Sequence, residues 1–114
     1  MRPQIAVSGT TSIDPVSREL RHPGSAYHQA VAIFAEIVRV VQELGGTARD
    51  IVHVRILVTE GKNADDVGRA LREATEDVGP AAVMIFRARF FSFQMLIEIA
   101  VDASVLVRRT INQV

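Results

Sequence analysis

Glu98 is the one charged residue in an apolar run near the end of the chain, Leu96 to Val101. Burying an unpaired carboxylate among apolar side chains costs on the order of several kcal/mol in lost hydration. Glu98 must therefore reach solvent, a counter-charge or a subunit boundary. Such a carboxylate can orient a water molecule or act as a general acid or base. The alternative is a structural ion pair across a subunit boundary, with Arg55 or Arg89 as the partner.

Other residues have types suited to ligand binding. Ser8 and Gly9 could offer a hydroxyl and a close backbone approach to a ligand, although a turn after a strand needs the same residues. Arg55 could supply a cation, although such an arginine is more often part of an ion pair between subunits. His53 is interpreted as a sheet residue with satisfied hydrogen bonds rather than as a catalyst.

The composition argues against several classes of function. The 114 residues are interpreted as one domain, 1–114, in which 13 basic and 13 acidic side chains cancel. No overall field therefore favours nucleic acid or anionic lipid. With no cysteine and three scattered histidines, no metal site is predicted, and no organic cofactor is expected. Without a signal-like start or a membrane-spanning apolar run, the chain is expected to be cytoplasmic and to have no membrane partner.

The elements in the first half follow from hydrophobic periodicity. Ile5 and Val7 predict a short strand that ends in a turn at Ser8-Gly9. Ser25 can cap a helix that runs to about Leu44 and is stopped by the glycines after it. The polar side of this helix is predicted to carry Gln29, Glu36, Arg39 and Glu43.

A strand is predicted from Ile51 to Thr59 because β-branched residues are frequent there. Alternation assigns one face, directed toward the helices, to Val52, Val54, Ile56 and Val58. The other, semi-polar face is assigned to His53, Arg55 and Leu57. A face that mixes polar and apolar side chains in this way invites a partner subunit.

Asn63 can cap a second helix that ends at Gly79-Pro80. Two runs with strand character follow, Ala82 to Phe90 and Met95 to Ser104, and their short link predicts a β-hairpin that presents Glu98. The resulting order is β(β)αβαββ. It predicts an α+β fold in which both helices cover one face of a sheet and leave the other uncovered.

The order of the elements and a series of short motifs resemble the Rid (YjgF) family, also called the L-PSP endoribonuclease family. The resemblance covers about residues 5 to 104. No single motif is specific, but their order and spacing together carry the resemblance. The matching stretches are Ser8-Gly9, Asp14-Pro15, Gln29, Gly45-Gly46, Asp50-Ile51-Val52, Thr59-Glu60, Gly79-Pro80-Ala81 and Leu96-Ile97-Glu98-Ile99.

The resemblance implies a chorismate-mutase-like fold and a homotrimer whose sheets form a central barrel, with clefts between subunits. Fully active members of the family hydrolyse reactive imines and enamines and release ammonia. Their first hairpin strand carries an arginine that grips the substrate carboxylate, and a glutamate in the second strand positions water. By resemblance, Glu98 is the catalytic residue, and Ser8, Gly9, Ala82 and Met84 occupy the ligand-binding positions. Arg55 is added to the ligand-binding residues on its own type and place in the strand, as a cation that could replace the missing arginine.

The chain departs from the family pattern at the decisive position. Ala82 stands where active members have the arginine, and Met84 stands where a cysteine is common. The strand that comes first in the family has no counterpart before Ser8-Gly9. Whether residues that precede Met1 have been lost relative to the family stays open. Neither Ala82 nor Met84 can form a bidentate clamp on a carboxylate. We therefore expect the usual deaminase activity on amino-acid imines to be lacking.

Two functions from different classes stay open on the sequence. The first is a trimer that binds a small metabolite in an intersubunit cleft, with any chemistry hydrolytic and dependent on Glu98. The second is a binding or regulatory trimer without turnover. RNA cleavage is a weaker third alternative, because the net charge is zero.

Overall fold

The computed structural model describes residues 3–75 and 79–105, which form an α+β structure with a four-stranded sheet. This architecture confirms the predicted fold class. The strands are β1 (Gln4–Thr10), β2 (Ile51–Val58), β3 (Ala81–Ile85) and β4 (Ile97–Ser104). The helices are α1 (Ala26–Glu43) and α2 (Ala64–Ala74), and short 3-10 turns, Ala48–Asp50 and Gly61–Asn63, precede β2 and α2. None of these helices is long and apolar enough to cross a membrane.

Helix α1 has the predicted caps. The Ser25 side chain accepts a hydrogen bond from the backbone N–H of His28, which satisfies one of the free donors at the helix start. At the other end, Gly45 has a φ of 94°, a conformation that glycine adopts without steric cost. The Gly46 N–H then donates to the carbonyl of Val41 at 2.8 Å. Local sequence signals therefore determine both ends of α1.

Gln29 does not lie on the polar side of α1, and that prediction is wrong. Its side chain is 1% exposed and donates to the carbonyls of His22 (3.0 Å) and Gln94 (2.8 Å). Its carbonyl oxygen accepts from the N–H of Leu96 at 2.9 Å. The helix position alone looked polar, but backbone groups from two loops meet there and need a buried partner. Gln29 therefore ties α1 to the segment that leads into β4.

The second helix is shorter than predicted over the residues described. Asn63 is in the N-cap position, but its side chain makes no capping hydrogen bond. Asp65 and Asp66 lie in the first turn, where a carboxylate interacts favourably with the helix dipole. The helix ends at Ala74, ahead of the predicted stop at Gly79-Pro80, and residues 76–78 lie outside the described residues.

The predicted β-hairpin between β3 and β4 is wrong. The strand order is β1-β4-β2-β3, so β2 lies between them. β3 runs parallel to β2, whereas β4 is antiparallel to both β1 and β2. The chain leaving β3 crosses the end of β2, where Ala88 N–H donates to Val58 and Thr59 N–H donates to Leu96. Sequence proximity suggested direct pairing, but the β2–α2–β3 crossover puts β3 on the far side of β2.

Strand β2 has the predicted alternation from His53 onward. Val54, Ile56 and Val58 are buried toward the helices, in agreement with the prediction. Val52 is an exception, because the pairing with β4 slips between Ile51 and His53 and leaves Val52 46% exposed. An extra residue in one strand reverses the alternation across it, so Ile51, on the N-terminal side of the slip, takes the buried position instead of Val52.

Both helices pack on one face of the sheet, where the hydrophobic core lies. Alternate residues of β4 join this core, while the residues between them are half-exposed on the other face. Within the described residues no helix covers that second face. The buried side of β4 consists of Ile97, Ile99, Val101 and Ala103.

Candidate functional site

The uncovered face of the sheet brings together candidate residues from three strands. A concave cavity of about 290 Å³ lies there. Glu98 comes from β4 and Arg55 from β2, and Gly9 comes from the distant N-terminal strand β1. Apolar side chains supply the remaining walls, namely Leu57, Val83, Ile85 and Ala100.

A β-bulge in β1 brings Gly9 against Glu98. The register of β1 on β4 shifts between Val7 and Thr10, so Ser8 and Gly9 together face the stretch of β4 around Ala100. A methyl group at Gly9 would lie 1.9 Å from the Oε1 atom of Glu98 and 2.6 Å from its carboxyl carbon. A residue with a side chain at position 9 would therefore collide with Glu98. Glycine at this position leaves room for the Glu98 carboxylate. The predicted turn at Ser8-Gly9 is therefore a bulge inside a longer strand.

The Glu98 side chain forms no ion pair or hydrogen bond with any described residue of the chain. It is half-buried, with Leu57 opposite it across the β2–β4 ladder. Neither Arg55 nor Arg89 of the same chain pairs with it. The carboxylate is therefore available to a ligand, to water or to a group from another subunit.

Arg55 lies at the cavity, but its guanidinium is already engaged. Its Nη1 atom lies 2.6 Å from Oδ2 of Asp102 and 3.0 Å from Nδ1 of His53. The hydrogen bond from Arg55 lowers the pKa of Asp102 below its usual value of 3.8, with a smaller contribution from His53. The same hydrogen bond to Asp102 raises the pKa of Arg55. Arg55 therefore has a counter-ion in its own chain, whereas the sequence favoured a pair between subunits.

Asp102 is a functional candidate that the sequence analysis missed. It follows Glu98 by four residues in one strand, and a strand repeats its faces every second residue. This spacing could have placed Asp102 on the same face of the strand as Glu98. In the sheet Asp102 is opposite His53, and Arg55 is the next residue of β2 on that face. Asp102 matters for the site because it pairs with Arg55, so the guanidinium is not a free cation.

The Arg55–Asp102 pair predicts an acid-dependent contribution to stability. The folded pKa of Asp102 is below 3.8, so the pair stabilises the fold above that pH and loses its effect as the pH falls through the folded value. We expect Asp102→Asn to lower the melting temperature slightly at pH 7, because both side chains are partly exposed. The difference from wild type should shrink toward zero in acid. Thermal unfolding across pH 7 to 2 checks this, and a difference that grows on acidification would contradict it.

The remaining predicted binding residues lie outside this cavity in the single chain. Ala82 and Met84 are in register with Val54 and Ile56 of β2, whose side chains face the helices. Met84 packs against the core, and Ala82 is exposed. Ser8 is exposed on β1 beside Gly9. The structure thus brings Gly9, Arg55 and Glu98 together and leaves Ser8, Ala82 and Met84 apart from them.

Two other features of the described surface lie away from these residues. A groove of about 380 Å³ runs between α1 and α2, where the Tyr27 hydroxyl donates to Glu73 at 2.5 Å. Near the start of α1, the rings of His22 and His28 are 5.5 Å apart, and Nδ1 of His28 lies 2.7 Å from the Ser25 hydroxyl. This hydroxyl serves as the helix cap, so its role is structural. Among residues 3–75 and 79–105, no group of three or more possible metal ligands comes together.

Comparison with known proteins agrees with the resemblance found in the sequence. The family model described as Endoribonuclease L-PSP matches residues 1–105. The chain belongs to this family. An uncharacterized protein of Streptomyces coelicolor, SCO2049, is 25% identical over 100 residues, which cover 88% of this chain and 73% of the relative.

Solved structures of similar proteins show the same fold. Rv2704 of Mycobacterium tuberculosis, a member of the YjgF/YER057c/UK114 family, is 25% identical with a TM-score of 0.77, covering 92% of this chain and 81% of its own. RidA of an Antarctic Psychrobacter is 20% identical with a TM-score of 0.79, and the match covers 90% of this chain and 80% of RidA. YyfB of Yersinia pestis, a Rid protein of unknown function, is 19% identical with a TM-score of 0.78, and the match covers 90% of this chain and 78% of YyfB.

Proposed function

We propose that this L-PSP family protein is a homotrimer that binds a small metabolite at the uncovered sheet face, in a cleft completed by a neighbouring subunit. The observation that carries the proposal is the half-buried Glu98 carboxylate, which has no partner among the described residues and lies at an apolar cavity. An unpaired carboxylate lowers stability unless something interacts with it, so its position is more easily explained by function than by folding.

The apolar walls of the cavity support association of subunits. Val83 is 41% and Ile85 is 53% exposed, and both lie on the edge strand β3. Exposed apolar side chains on a free edge favour pairing with another chain. Three sheets that associate through this face would exclude water from these side chains and surround Glu98 with a second set of walls.

Any reaction at this site is proposed to be hydrolytic. Water adds to the carbon of an imine, the C–N bond then breaks, and ammonia leaves as a carbonyl forms. Glu98 would orient that water, accept its proton and then deliver the proton to the nitrogen that leaves, which requires only one carboxylate within hydrogen-bond reach. A metal ion or an organic cofactor is not needed for this step.

The absence of the family arginine limits the reaction. Ala82 cannot grip a carboxylate, and Arg55, which is the one arginine lining the cavity in the described part of the chain, is held by Asp102. An unengaged guanidinium would contribute charge-assisted hydrogen bonds that neither alanine nor an occupied arginine supplies. We therefore propose that the protein lacks the usual deaminase activity on imines of amino acids, and a trimer that binds without turnover is the alternative.

Sedimentation and ammonia release test the proposal together. Analytical ultracentrifugation is expected to show a trimer at micromolar concentration, and the trimer is expected to release ammonia from amino-acid imines much more slowly than a relative that carries the arginine. Any ammonia release that is found should be lost in Glu98→Gln, which keeps the size of the side chain but cannot accept a proton.

Two results would contradict the proposal. A stable monomer in dilute solution would remove the intersubunit cleft. Turnover of amino-acid imines equal to that of the arginine-containing relative would show that Ala82 does not limit the reaction. A trimer that binds but releases no ammonia from any imine would favour the non-catalytic alternative.

A further inference from the structure

The charges at the cavity do not balance. Among residues 3–75 and 79–105, Glu98 and Arg55 are the charged residues that line it. Arg55 is compensated by Asp102, whose Oδ2 atom lies 2.6 Å from the guanidinium. Glu98 has no such partner among the described residues. A negative charge is therefore left over at the cavity, whereas a site for a carboxylate ligand would need a positive one.

The surroundings of Glu98 strengthen the effect of this charge. Leu57, Val83, Ile85 and Ala100 provide the walls, so few protein dipoles compete for the carboxylate. A charge beside apolar walls interacts more strongly with a ligand than one in open water. A second carboxylate brought into this space would be repelled and would also lose its hydration.

We propose that the cavity selects a small ligand with a positively charged nitrogen and no carboxylate, such as a primary alkylammonium ion or the protonated imine of an amine. Glu98 is its counter-ion and accepts hydrogen bonds from the nitrogen. The apolar walls contact the hydrocarbon part of the ligand. This inference rests on the proposed function, since it gives the ligand class for the same cleft.

Three probes of matched shape test the ligand class by isothermal titration calorimetry. They are 3-methylbutylammonium, 3-methylbutan-1-ol and 3-methylbutanoate, which share one hydrocarbon group and differ in charge. The ammonium ion is expected to bind about tenfold more tightly than the alcohol, because a charge-assisted hydrogen bond to Glu98 replaces a neutral one. The carboxylate is expected to bind more weakly than the alcohol. The preference for the ammonium ion should fall as salt is added.

Two variants assign the preference to these charges. Glu98→Gln should abolish the difference between the ammonium ion and the alcohol while the alcohol still binds. Asp102→Asn leaves Glu98 in place and frees the charge of Arg55, so it should reduce the preference as well. The double variant leaves Arg55 as the net charge and should prefer the carboxylate. Circular dichroism and sedimentation confirm that each variant is folded and assembled.

The outcomes separate the two proposals. Equal affinities for the ammonium ion and the alcohol in the wild-type trimer would overturn the ligand class but leave the cleft intact. Tighter binding of the carboxylate would overturn it too. A monomer that binds none of the probes would overturn both the ligand class and the proposed function. A preference that survives in Glu98→Gln would show that another group recognises the nitrogen.

Discussion

Replacement of Gly9 by alanine is expected to reduce ligand binding or turnover by about tenfold or more while the protein stays folded. The added methyl group would lie 1.9 Å from Oε1, 2.6 Å from Cδ and 3.1 Å from Cγ of Glu98. The carboxylate must therefore leave its present position. A side chain forced into a different or off-rotamer conformation costs about 1 kcal/mol, which a folded domain tolerates. A displacement of about 1 Å at a reacting group lowers rates by about a hundredfold.

Gly68→Ala is the matched control for this experiment. A methyl group there would approach Arg72 no closer than 3.6 Å, which is an ordinary contact. Gly68 lies inside α2, so alanine should raise the stability by up to about 1 kcal/mol and leave binding unchanged. Affinity for 3-methylbutylammonium and thermal unfolding are measured on both variants. Full affinity in Gly9→Ala would show that the position of Glu98 beside Gly9 is not needed for binding.

Gln29→Leu is expected to cause the largest loss of stability, about 3 kcal/mol or more. The side chain of Gln29 makes three hydrogen bonds to backbone groups, from a position that is 1% exposed. Leucine has a similar size but satisfies none of them. Each backbone group left without a partner in a buried place costs about 1 to 3 kcal/mol, and partial entry of water lowers the total.

The same substitution should also disturb the site. Gln29 holds the backbone at Gln94 and Leu96, which directly precede the strand that carries Glu98. Urea unfolding measures the stability, and amide hydrogen exchange over residues 94–98 measures the local effect. Gln42→Leu, an exposed position of the same helix, is expected to change stability by less than about 0.5 kcal/mol. Similar losses in the two variants would contradict the role of Gln29.

Local patterns predicted the elements on the first half of the chain well. Ser25 and the glycines after Leu44 marked the ends of α1, since capping and positive φ depend on a few neighbouring residues. The β-branched run from Ile51 marked β2. The order of short motifs pointed to the family, which the match over residues 1–105 confirms.

Pairing between strands was not predictable in the same way. β3 and β4 are neighbours in sequence but not in the sheet, because β4 lies between β1 and β2. Gln29 looked polar on a helical projection, whereas carbonyls from two separate loops make it a buried residue. Both errors arose at places where groups far apart in sequence determine the outcome.

The sequence by itself determined the family, the kinds of element and the isolation of Glu98 among apolar residues, because these depend on neighbours in the chain. Only the tertiary structure decided what surrounds that carboxylate. It brought Gly9 against Glu98 through a bulge, neutralised Arg55 with Asp102, and packed Met84 against the core rather than at the cavity. Strand register and bulges set these contacts, and they depend on the packing of the whole sheet rather than on any short stretch.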